Sequence, residues 1–449
     1  MAISMISHKS TGSKSYLDLT TSLFDLSHSG QESFSTALSD GRNLYFTDGS
    51  GIVDILNMKD PGNGHVGVAQ NDTKPGTRVS RAYCPQMREF ALAFDGYLCN
   101  GQKLRERFGG NTDGDVAARL IADANDFEKG ITVLDGEAKG HFCIAVADER
   151  GEAFAARSPS AVHTLIYGEG EKGQAVVSES RALSDINMRA VRDLYPGEIA
   201  ALDGSNLHTL NPKILEGGAQ GRTQICSFLW AYYHWIDSVT QGIAVEAVRS
   251  GIGGLLAEID RNLGLKADRA CPIPDSGKGY SEGYSLAAGI MHSEPLIKFP
   301  YAGRSYDRPE QYIRDLVARL KLKLIPSRAS GLVLVVTDDS IRRGTQLVEE
   351  FGPLKLLQSA NPKAMHLRIG SPRNIQFCRY AAPEKGSYRD DTLAANRFRT
   401  DDDMARFVGV DSIRFIGLDP FVEAITSRGD VKRHDICLGC YTGEFPLLS

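Results

Sequence analysis

The 449-residue sequence lacks a long hydrophobic run, an excess of basic charge and the cysteine density of a small secreted domain. No run approaches the roughly 18 to 20 apolar residues that a membrane-spanning helix requires. The formal net charge is −5, which excludes a general attraction to nucleic acid or anionic lipid. The first residues contain neither a basic lead-in nor an apolar core, so they predict no signal peptide. We therefore expect a soluble cytoplasmic protein with no nucleic acid and no membrane among its partners.

The cysteines are too sparse for a disulfide framework. Eight of them are spread over the whole chain, so reduced thiols or metal ligands are expected instead. Hydrophobic residues make up 42% and charged residues 24%, which is typical of a globular protein and excludes disordered, collagen-like and coiled-coil classes. At roughly 150 residues per domain, the length predicts two or three domains.

The first half of the chain has the pattern of an antiparallel α+β domain. Short apolar or alternating runs, broken by Gly, Asp and Asn, predict strands at 44–47, 90–94, 142–146, 153–156, 174–178 and 198–202. Helical patterns cover 17–27 and 115–125. Periodicity is lost at 211–221, which predicts a linker there and domains at 1–212 and 213–449.

The second half has the pattern of an α/β domain. Apolar residues recur at helical spacing from Val248 to Ile259, which predicts a long helix. Runs at 270–273, 331–337 and 365–369 predict strands with helices between them. Such alternation predicts a parallel sheet that binds its ligand at the carboxyl ends of the strands.

The clearest motif follows the strand predicted at 331–337. Asp338 and Asp339 come at its carboxyl end, and a turn then opens a helix with small or hydroxyl-bearing residues, namely Ser340, Gly344 and Thr345. Paired carboxylates suit the hydroxyls of a ribose, and the turn suits a phosphate. A bare Asp-Asp pair is also typical of a solvated surface turn, but the strand before it and the helix after it favour a ribose phosphate site.

Two further loops agree with a sugar phosphate ligand. Asp275, Ser276 and Gly277 follow the strand predicted at 270–273, where a backbone could approach a diphosphate. A basic loop at 298–305 contains Lys298 and Arg304, and it could close over a charged leaving group.

These loops, in this order, resemble those of the glutamine phosphoribosylpyrophosphate amidotransferases, and the resemblance extends over nearly the whole chain. The matching segments include a type I phosphoribosyltransferase signature at 338–345 and a Cys-x-x-Cys segment at 437–444. The others lie at 28–33, 95–98, 104–105, 178–180, 196–198, 226, 237–239, 274–277 and 303–305. Each segment alone is a weak signal, but many in register make a strong one.

The resemblance implies a fold and a ligand set. The fold is an N-terminal-nucleophile-hydrolase-like four-layer α+β domain followed by an α/β type I phosphoribosyltransferase domain, in a homo-oligomer. Ser276, Asp338 and Asp339 would hold Mg²⁺, and Asp338, Asp339 and Arg304 would be catalytic. The implied contacts to 5-phosphoribosyl diphosphate are Asp275, Ser276, Gly277, Lys298, Arg304, Asp338, Asp339, Ser340, Gly344 and Thr345.

Four of the cysteines match the iron-sulfur branch of this family. Cys437 and Cys440 form a Cys-x-x-Cys pair, which alone does not make a metal site. The resemblance adds Cys226 and Cys378 and so implies a [4Fe-4S] cluster, with structural zinc as the competing occupant. The remaining cysteines are expected to be core thiols: Cys84, Cys99, Cys143 and Cys271.

The first domain departs from the family at its glutaminase residues. The family uses an N-terminal cysteine nucleophile, but this sequence has no cysteine before Cys84. Gly67 stands where the family has the arginine that pairs with the glutamine carboxylate, and Asp95-Gly96 replaces the oxyanion-hole Asn-Gly. Asp113 matches the aspartate that holds the substrate amine. These departures predict a lost glutaminase; a Ser4 nucleophile exposed by processing is the alternative.

The sequence leaves three functions open. The first is a Mg²⁺-dependent phosphoribosyltransferase that joins ammonia or another amine to 5-phosphoribosyl diphosphate, forming 5-phosphoribosylamine in a purine-type pathway. Its ammonia could come from a partner glutaminase. The second is a noncatalytic paralogue that regulates, or that senses nucleotide or phosphoribosyl diphosphate. The third is an active glutamine-dependent amidophosphoribosyltransferase of purine synthesis.

Overall fold

The structure is a computed structural model that describes residues 1–9, 15–51, 54, 62, 64–74, 76–213, 223–299, 320–349, 352–383 and 389–445. Arg304 and most of the predicted linker at 211–221 lie outside the described residues. The domain boundary at 212/213 therefore stays a prediction.

The first part of the chain forms two antiparallel sheets. Its described strands are β1 (Ala2–His8), β2 (Ser33–Ser39), β3 (Leu44–Gly49), β4 (Val66–Asp72), β5 (Ser80–Cys84), β6 (Arg88–Leu98), β7 (Gly140–Asp148), β8 (Ala153–Arg157), β9 (Ile166–Glu169), β10 (Gly173–Val177), β11 (Arg189–Asp193), β12 (Ile199–Leu202) and β13 (Leu207–Thr209). One sheet has the order β11-β9-β10-β1-β4-β2-β3 and the other β13-β12-β8-β7-β6-β5. The strands predicted from the sequence are all present.

Helices cover the outer face of each sheet. They are α1 (Ser15–Asp25), α2 (Gly101–Phe108), α3 (Asp113–Ala124), α4 (Phe127–Glu137) and α5 (Arg181–Ser184). The Thr112 side chain caps α3 by accepting from the N–H of Asp115, which is why that helix begins before the predicted Asp115. The predicted helix at 17–27 is α1, which begins two residues earlier.

The packing gives four layers, as predicted. Because side chains alternate along a strand, Ile3 and Met5 of β1 face the other sheet, where they pack with Ala91 and Ala93 of β6. The opposite face of the β1 sheet packs against Leu19 of α1. On the far side, β6 and β7 pack against α3 and α4. Both sheets are therefore buried on both faces, and the layer order is helix, sheet, sheet, helix.

The second part contains a parallel sheet. Its strands have the order β18-β17-β21-β22-β23 and all run in the same direction. The described strands of this part are β14 (Ile225–Cys226), β15 (Val239–Thr240), β16 (Ile243–Ala244), β17 (Arg269–Pro272), β18 (Met291–His292), β19 (Leu296–Lys298), β20 (Leu322–Leu324), β21 (Val333–Asp338), β22 (Ala364–Ile369), β23 (Ser412–Phe415) and β24 (Ile436–Cys437). The three strands predicted here are β17, β21 and β22.

Helices flank this sheet. They are α6 (Val245–Asn262), α7 (Lys278–Ala288), α8 (Thr345–Val348), α9 (Pro353–Gln358), α10 (Ala394–Arg397), α11 (Asp401–Val408), α12 (Leu418–Thr426) and α13 (Gly439–Thr442). The predicted long helix is α6. It crosses α7 closely, because a Cβ at Gly283 would overlap the carbonyl oxygen of Ser250. No helix in the described part of the chain is long and apolar enough to cross a bilayer.

A buried ion pair fixes α6 to the sheet. Arg368 of β22 and Asp260 of α6 lie 2.7 Å apart, and both side chains are buried. The hydroxyl of Tyr284 donates to the same carboxylate at 2.6 Å. Each charge is thus compensated, which a pair removed from water requires.

Candidate active site

The carboxyl ends of β17 and β21 are joined by hydrogen bonds across the sheet edge. Thr337 Oγ1 donates to the carbonyl oxygen of Gly277 at 2.9 Å, and the N–H of Ile273 donates to Thr337 O at 2.9 Å. A Cβ at Gly277 would overlap Thr337 O, so this position requires glycine. The two predicted loops therefore meet at one point.

The acid pair lies at this point with Ser276. Asp338 Oδ1 accepts from Ser276 Oγ at 2.9 Å and from the N–H of Asp339 at 3.0 Å. Asp339 Oδ2 accepts from Ser340 Oγ at 2.5 Å. Both acids are buried although they adjoin the loop. The structure thus brings together the three residues predicted to hold Mg²⁺.

The electrostatics of the acid pair favour a bound cation. Burial raises the pKa of Asp338 well above its usual range, and the charge of Asp339 raises it further. Burial also raises the pKa of Asp339. Two adjacent buried carboxylates are costly when both are ionised. A divalent cation at this edge would compensate both charges.

The other predicted contacts are placed around the same edge. Lys298 Nζ lies 2.6 Å from Asp275 Oδ2, and Lys278 Nζ lies 3.5 Å from Oδ1 of the same carboxylate. Gly344 has φ +75° and precedes α8, which begins at Thr345. Of the predicted contacts, Arg304 alone lies outside the described residues.

The four predicted cluster ligands come from three segments that meet. Cys226 in β14 stands directly opposite Cys437 in β24, because these two strands pair in parallel. Cys378 and Cys440 share a side-chain hydrogen bond. Cys440 O also accepts from the N–H groups of Ile375 and Gln376. The structure therefore brings the four thiols together, although their ligation is a prediction.

The two candidate occupants place their thiolate ligands differently. Among the described ranges, no three His, Cys, Asp or Glu side chains form a group that could hold a single metal ion. Zinc needs its sulfurs at about 2.3 Å from one point. In a [4Fe-4S] cluster each thiolate binds a different iron, so its ligands stand farther apart. Which of the two occupies the four thiols stays a prediction.

A fifth thiol differs from its prediction. Cys84, Cys143 and Cys271 are buried, as expected of core thiols, but Cys99 is exposed. Its Sγ donates to the carbonyl oxygen of Arg379 at 3.3 Å. The expectation that Cys99 is a core thiol was wrong because its position, just after β6, faces the second domain.

The predicted oxyanion position holds a carboxylate. Asp95 lies 3.2 Å from His163 Nδ1 and accepts from Ser178 Oγ at 3.3 Å. Burial alone would raise the pKa of Asp95, but His163, with smaller contributions from the Met1 amino group and His141, lowers it to about 2. Asp95 is therefore ionised. At Gly96 a Cβ would overlap the carbonyl oxygen of His141, so β6 and β7 approach closely here.

The two other glutaminase positions are Gly67 and Asp113, and neither places a free side chain beside Asp95. A Cβ at Gly67 would contact Leu19 and Leu38, so this position faces the helix layer. Asp113 is paired with Arg105. The side chain that reaches the neighbourhood of Asp95 is instead Gln70, which the sequence did not single out. Its Oε1 accepts from the N–H of Phe94, the residue before Asp95, at 2.9 Å.

Motif residues from both halves of the chain meet at Glu179. This buried carboxylate accepts from Ser238 Oγ and from the N–H of Trp235, each at 2.5 Å, and it lies 2.6 Å from His28 Nε2. Burial would raise the pKa of Glu179, but His234 and His28 lower it to about 2. The matching segments at 28–33, 178–180 and 237–239 thus form one contact between the domains.

Comparisons with known proteins agree with these features. Residues 82–185 match a family model described as a glutamine amidotransferase domain. The amidophosphoribosyltransferase of Methanocaldococcus jannaschii is 31% identical, and the alignment covers 94% of this chain and 93% of that protein. The chain belongs to the amidophosphoribosyltransferase family. It is therefore an enzyme of the pentosyltransferase class.

Further relatives and solved structures extend the comparison. The amidophosphoribosyltransferase of Archaeoglobus fulgidus is 28% identical over 95% of this chain and 93% of its own length. The glutamine phosphoribosylpyrophosphate amidotransferase of B. subtilis, solved with ADP and GMP, superposes with a TM-score of 0.83 at 23% identity. That match covers 99% of this chain and 97% of the other, and it confirms the predicted fold of this amidophosphoribosyltransferase family member.

Proposed function

We propose that this protein is a Mg²⁺-dependent phosphoribosyltransferase that joins ammonia or another amine to 5-phosphoribosyl diphosphate, and that its glutaminase activity is lost. The observation that carries this proposal is the contrast between two sites. Ser276, Asp338 and Asp339 form a hydrogen-bonded acidic edge, whereas Asp95 occupies a glutaminase position that needs a hydrogen-bond donor.

The acidic edge would hold the metal and the ribose. Asp338, Asp339 and Ser276 supply oxygen ligands of the kind that Mg²⁺ prefers. When bound, Mg²⁺ offsets negative charge on the diphosphate leaving group. Lys298 stands beside Asp275 on the neighbouring loop, where its charge can reach the same diphosphate. Arg304 would join it from the loop at 298–305.

The transfer reaction depends more on the positioning of the substrates than on a strong base. Displacement at the anomeric carbon passes through a cation-like sugar, so orientation and charge stabilisation supply most of the rate. The carboxylates of Asp338 and Asp339 are held rigidly by hydrogen bonds from Ser276 and Ser340. They can therefore fix the ribose hydroxyls and stabilise positive charge on the ring.

The first domain supports the loss of glutaminase. A glutaminase oxyanion hole donates hydrogen bonds to a developing negative charge, but the ionised Asp95 repels one. Ser4, the alternative nucleophile, is fully buried and lies 2.6 Å from Ser22 Oγ of α1. It faces the helix layer, whereas Asp95 faces the space between the sheets. This placement of Ser4 away from Asp95 supports the loss of the glutaminase.

We also propose that Cys226, Cys378, Cys437 and Cys440 bind a [4Fe-4S] cluster, with zinc as the competing occupant. Their placement on three converging segments supports it. The transfer reaction moves no electron, so the cluster would be structural or would respond to oxygen. It would hold β14 and β24 to the loop around Cys378.

The deciding assay measures diphosphate release from 5-phosphoribosyl diphosphate with Mg²⁺ under anaerobic conditions. Ammonium, glutamine and no nitrogen donor are compared, and glutamate formation is followed in parallel. We expect release with ammonium only. Release with glutamine, together with glutamate, would instead show an active glutamine-dependent enzyme. Silence with every donor would favour a noncatalytic sensor.

A further inference from the structure

A cluster of polar side chains at the mouth between the two sheets of the first domain has no part in the proposed transfer. Asp95 in β6 and His141 in β7 lie on neighbouring strands, and His163 and Ser178 approach from the connecting segments. The ring centroids of His141 and His163 lie 4.3 Å apart. Asp95 is the member that contacts both His163 and Ser178. We call these four residues the mouth cluster.

His141 contributes a hydrogen-bond acceptor that is not used. Its Nε2 lies 3.0 Å from the carbonyl oxygen of Tyr380, which can only accept, so Nε2 carries the hydrogen and Nδ1 a lone pair. Nδ1 is buried and has no hydrogen-bond partner among the described residues. Burial lowers the pKa of His141 to about 3, so the ring is neutral at pH 7. A buried acceptor left unpaired costs about 1–3 kcal/mol, which points to a ligand that donates.

Asp95 contributes negative charge to the same place. Its carboxylate is buried, and its described hydrogen-bond partners lie at the long distances of 3.2 Å for His163 and 3.3 Å for Ser178. The Met1 amino group also affects its charge state, but the hydrogen bond of that group goes to the carbonyl oxygen of Ser29. The mouth cluster therefore holds two acceptors, the Asp95 carboxylate and His141 Nδ1, beside two long hydrogen bonds to that carboxylate.

We infer that the mouth cluster binds an ammonium ion or the ammonium group of a small primary amine. Such a cation only donates hydrogen bonds, and it matches the Asp95 carboxylate together with the free lone pair of His141. A phosphate or carboxylate ligand would meet repulsion instead. The side chain of His163 is 31% exposed, so solvent reaches the site. The inference rests on the proposed function, because it states where the amine nucleophile is collected.

The first test is kinetic and uses the full chain. Diphosphate release is measured against ammonium and, separately, against phosphoribosyl diphosphate. For Asp95→Asn we expect the KM for ammonium to rise about tenfold or more, with the KM for phosphoribosyl diphosphate unchanged. His163→Asn should shift it in the same direction. Asp148→Asn is the matched control, because Asp148 is a buried carboxylate of β7 that accepts from the backbone N–H groups of Arg150 and Glu152.

The second test measures binding without turnover. Melting temperatures are recorded in ammonium, methylammonium, potassium and tetramethylammonium chloride at equal ionic strength. We expect the first two salts to stabilise the wild type and Asp148→Asn but not Asp95→Asn. Comparing the stabilisation by ammonium with that by methylammonium shows whether the site accepts a methyl group on the nitrogen.

The outcomes separate the inference from the proposed function. Ammonium-dependent turnover with an unchanged KM in Asp95→Asn would overturn the inference and leave the proposed function standing. No turnover with ammonium would overturn the proposed function. The melting temperatures would then decide whether the mouth cluster binds ammonium. Equal effects of all four salts would count against binding, whereas stabilisation that Asp95→Asn abolishes would support it.

Discussion

Each half of this chain places a buried carboxylate on a packed sheet, at the end of β21 for Asp338 and within β6 for Asp95, but the surroundings differ. Asp338 and Asp339 adjoin each other and receive hydrogen bonds from serine hydroxyls, an arrangement that leaves negative charge for a metal. Asp95 adjoins two imidazole rings instead. Both sheets are fully packed. Packing therefore maintains the fold of the first domain independently of the side chains at its mouth, so its site could change its chemistry.

The largest effect is expected at the acid pair. Asp339→Asn should lower turnover about 100-fold or more, because a ligand for the metal and ribose is lost. The free energy of unfolding should rise at pH 8, because the variant has no buried charge at this position. The pKa of Asp339 is raised in the folded state, so the stability of the wild type falls as the pH rises through this raised pKa. The variant cannot ionise at this position, so its stability falls less over the same pH interval.

Diphosphate release and urea unfolding at pH 6 and pH 8 measure both effects. Asp268→Asn is the matched control, since Asp268 accepts from the N–H of Val333 at the opposite end of β21. Unchanged turnover in Asp339→Asn would remove the functional contrast between the two domains.

The next effect concerns the metal content. Cys378→Ser should lose most of the iron and sulfide, because one of four ligands is missing. Cys99→Ser should keep both, although Cys99 contacts the residue next to Cys378. Anaerobic purification followed by iron, sulfide and zinc analysis checks this. Zinc in place of iron in the wild type would contradict the cluster.

A smaller effect is expected where the domains touch. Glu179→Gln should lower the free energy of unfolding by about 2–3 kcal/mol at pH 7. Because the folded-state pKa of Glu179 is lowered to about 2, its contribution is present above the usual carboxyl pKa and is lost as pH falls towards 2. Urea titrations at pH 7 and pH 3 should show the difference between variant and wild type shrinking. A difference that does not depend on pH would contradict the charge argument.

The smallest effect is expected at Ser4. Ser4→Ala should leave turnover with ammonium unchanged and cost about 1 kcal/mol of stability or less, because only the hydrogen bond to Ser22 is lost. Turnover assays with both nitrogen donors and a melting curve suffice. Glutamine-dependent turnover that disappears in this variant would restore Ser4 as a nucleophile.

The sequence predicted local features well and registers poorly. Asp338 and Ser276 could be placed because a strand followed by a polar turn determines its own position at the sheet edge. The sequence does not show whether Gly67 or Gln70 faces the space between the two sheets, because that depends on the register of β4 with β1. Nothing near Cys99 in the sequence indicates Arg379, which is 280 residues away. The contacts of Glu179 were missed for the same reason, although its motif was noted.

The pairing of β14 with β24 also bears on the order of folding. Ser227 Oγ donates to Cys437 O across 210 residues of chain, so this contact cannot form on the ribosome until Cys437 has emerged. The first domain, whose strands pair within its own sequence, can be complete long before then. Until Cys437 has emerged, the thiols of Cys226 and Cys378 therefore belong to a partly folded second domain. The proposed cluster would therefore be assembled only after synthesis of that domain is nearly finished, and a stalled chain would present Cys226 and Cys378 without their partners.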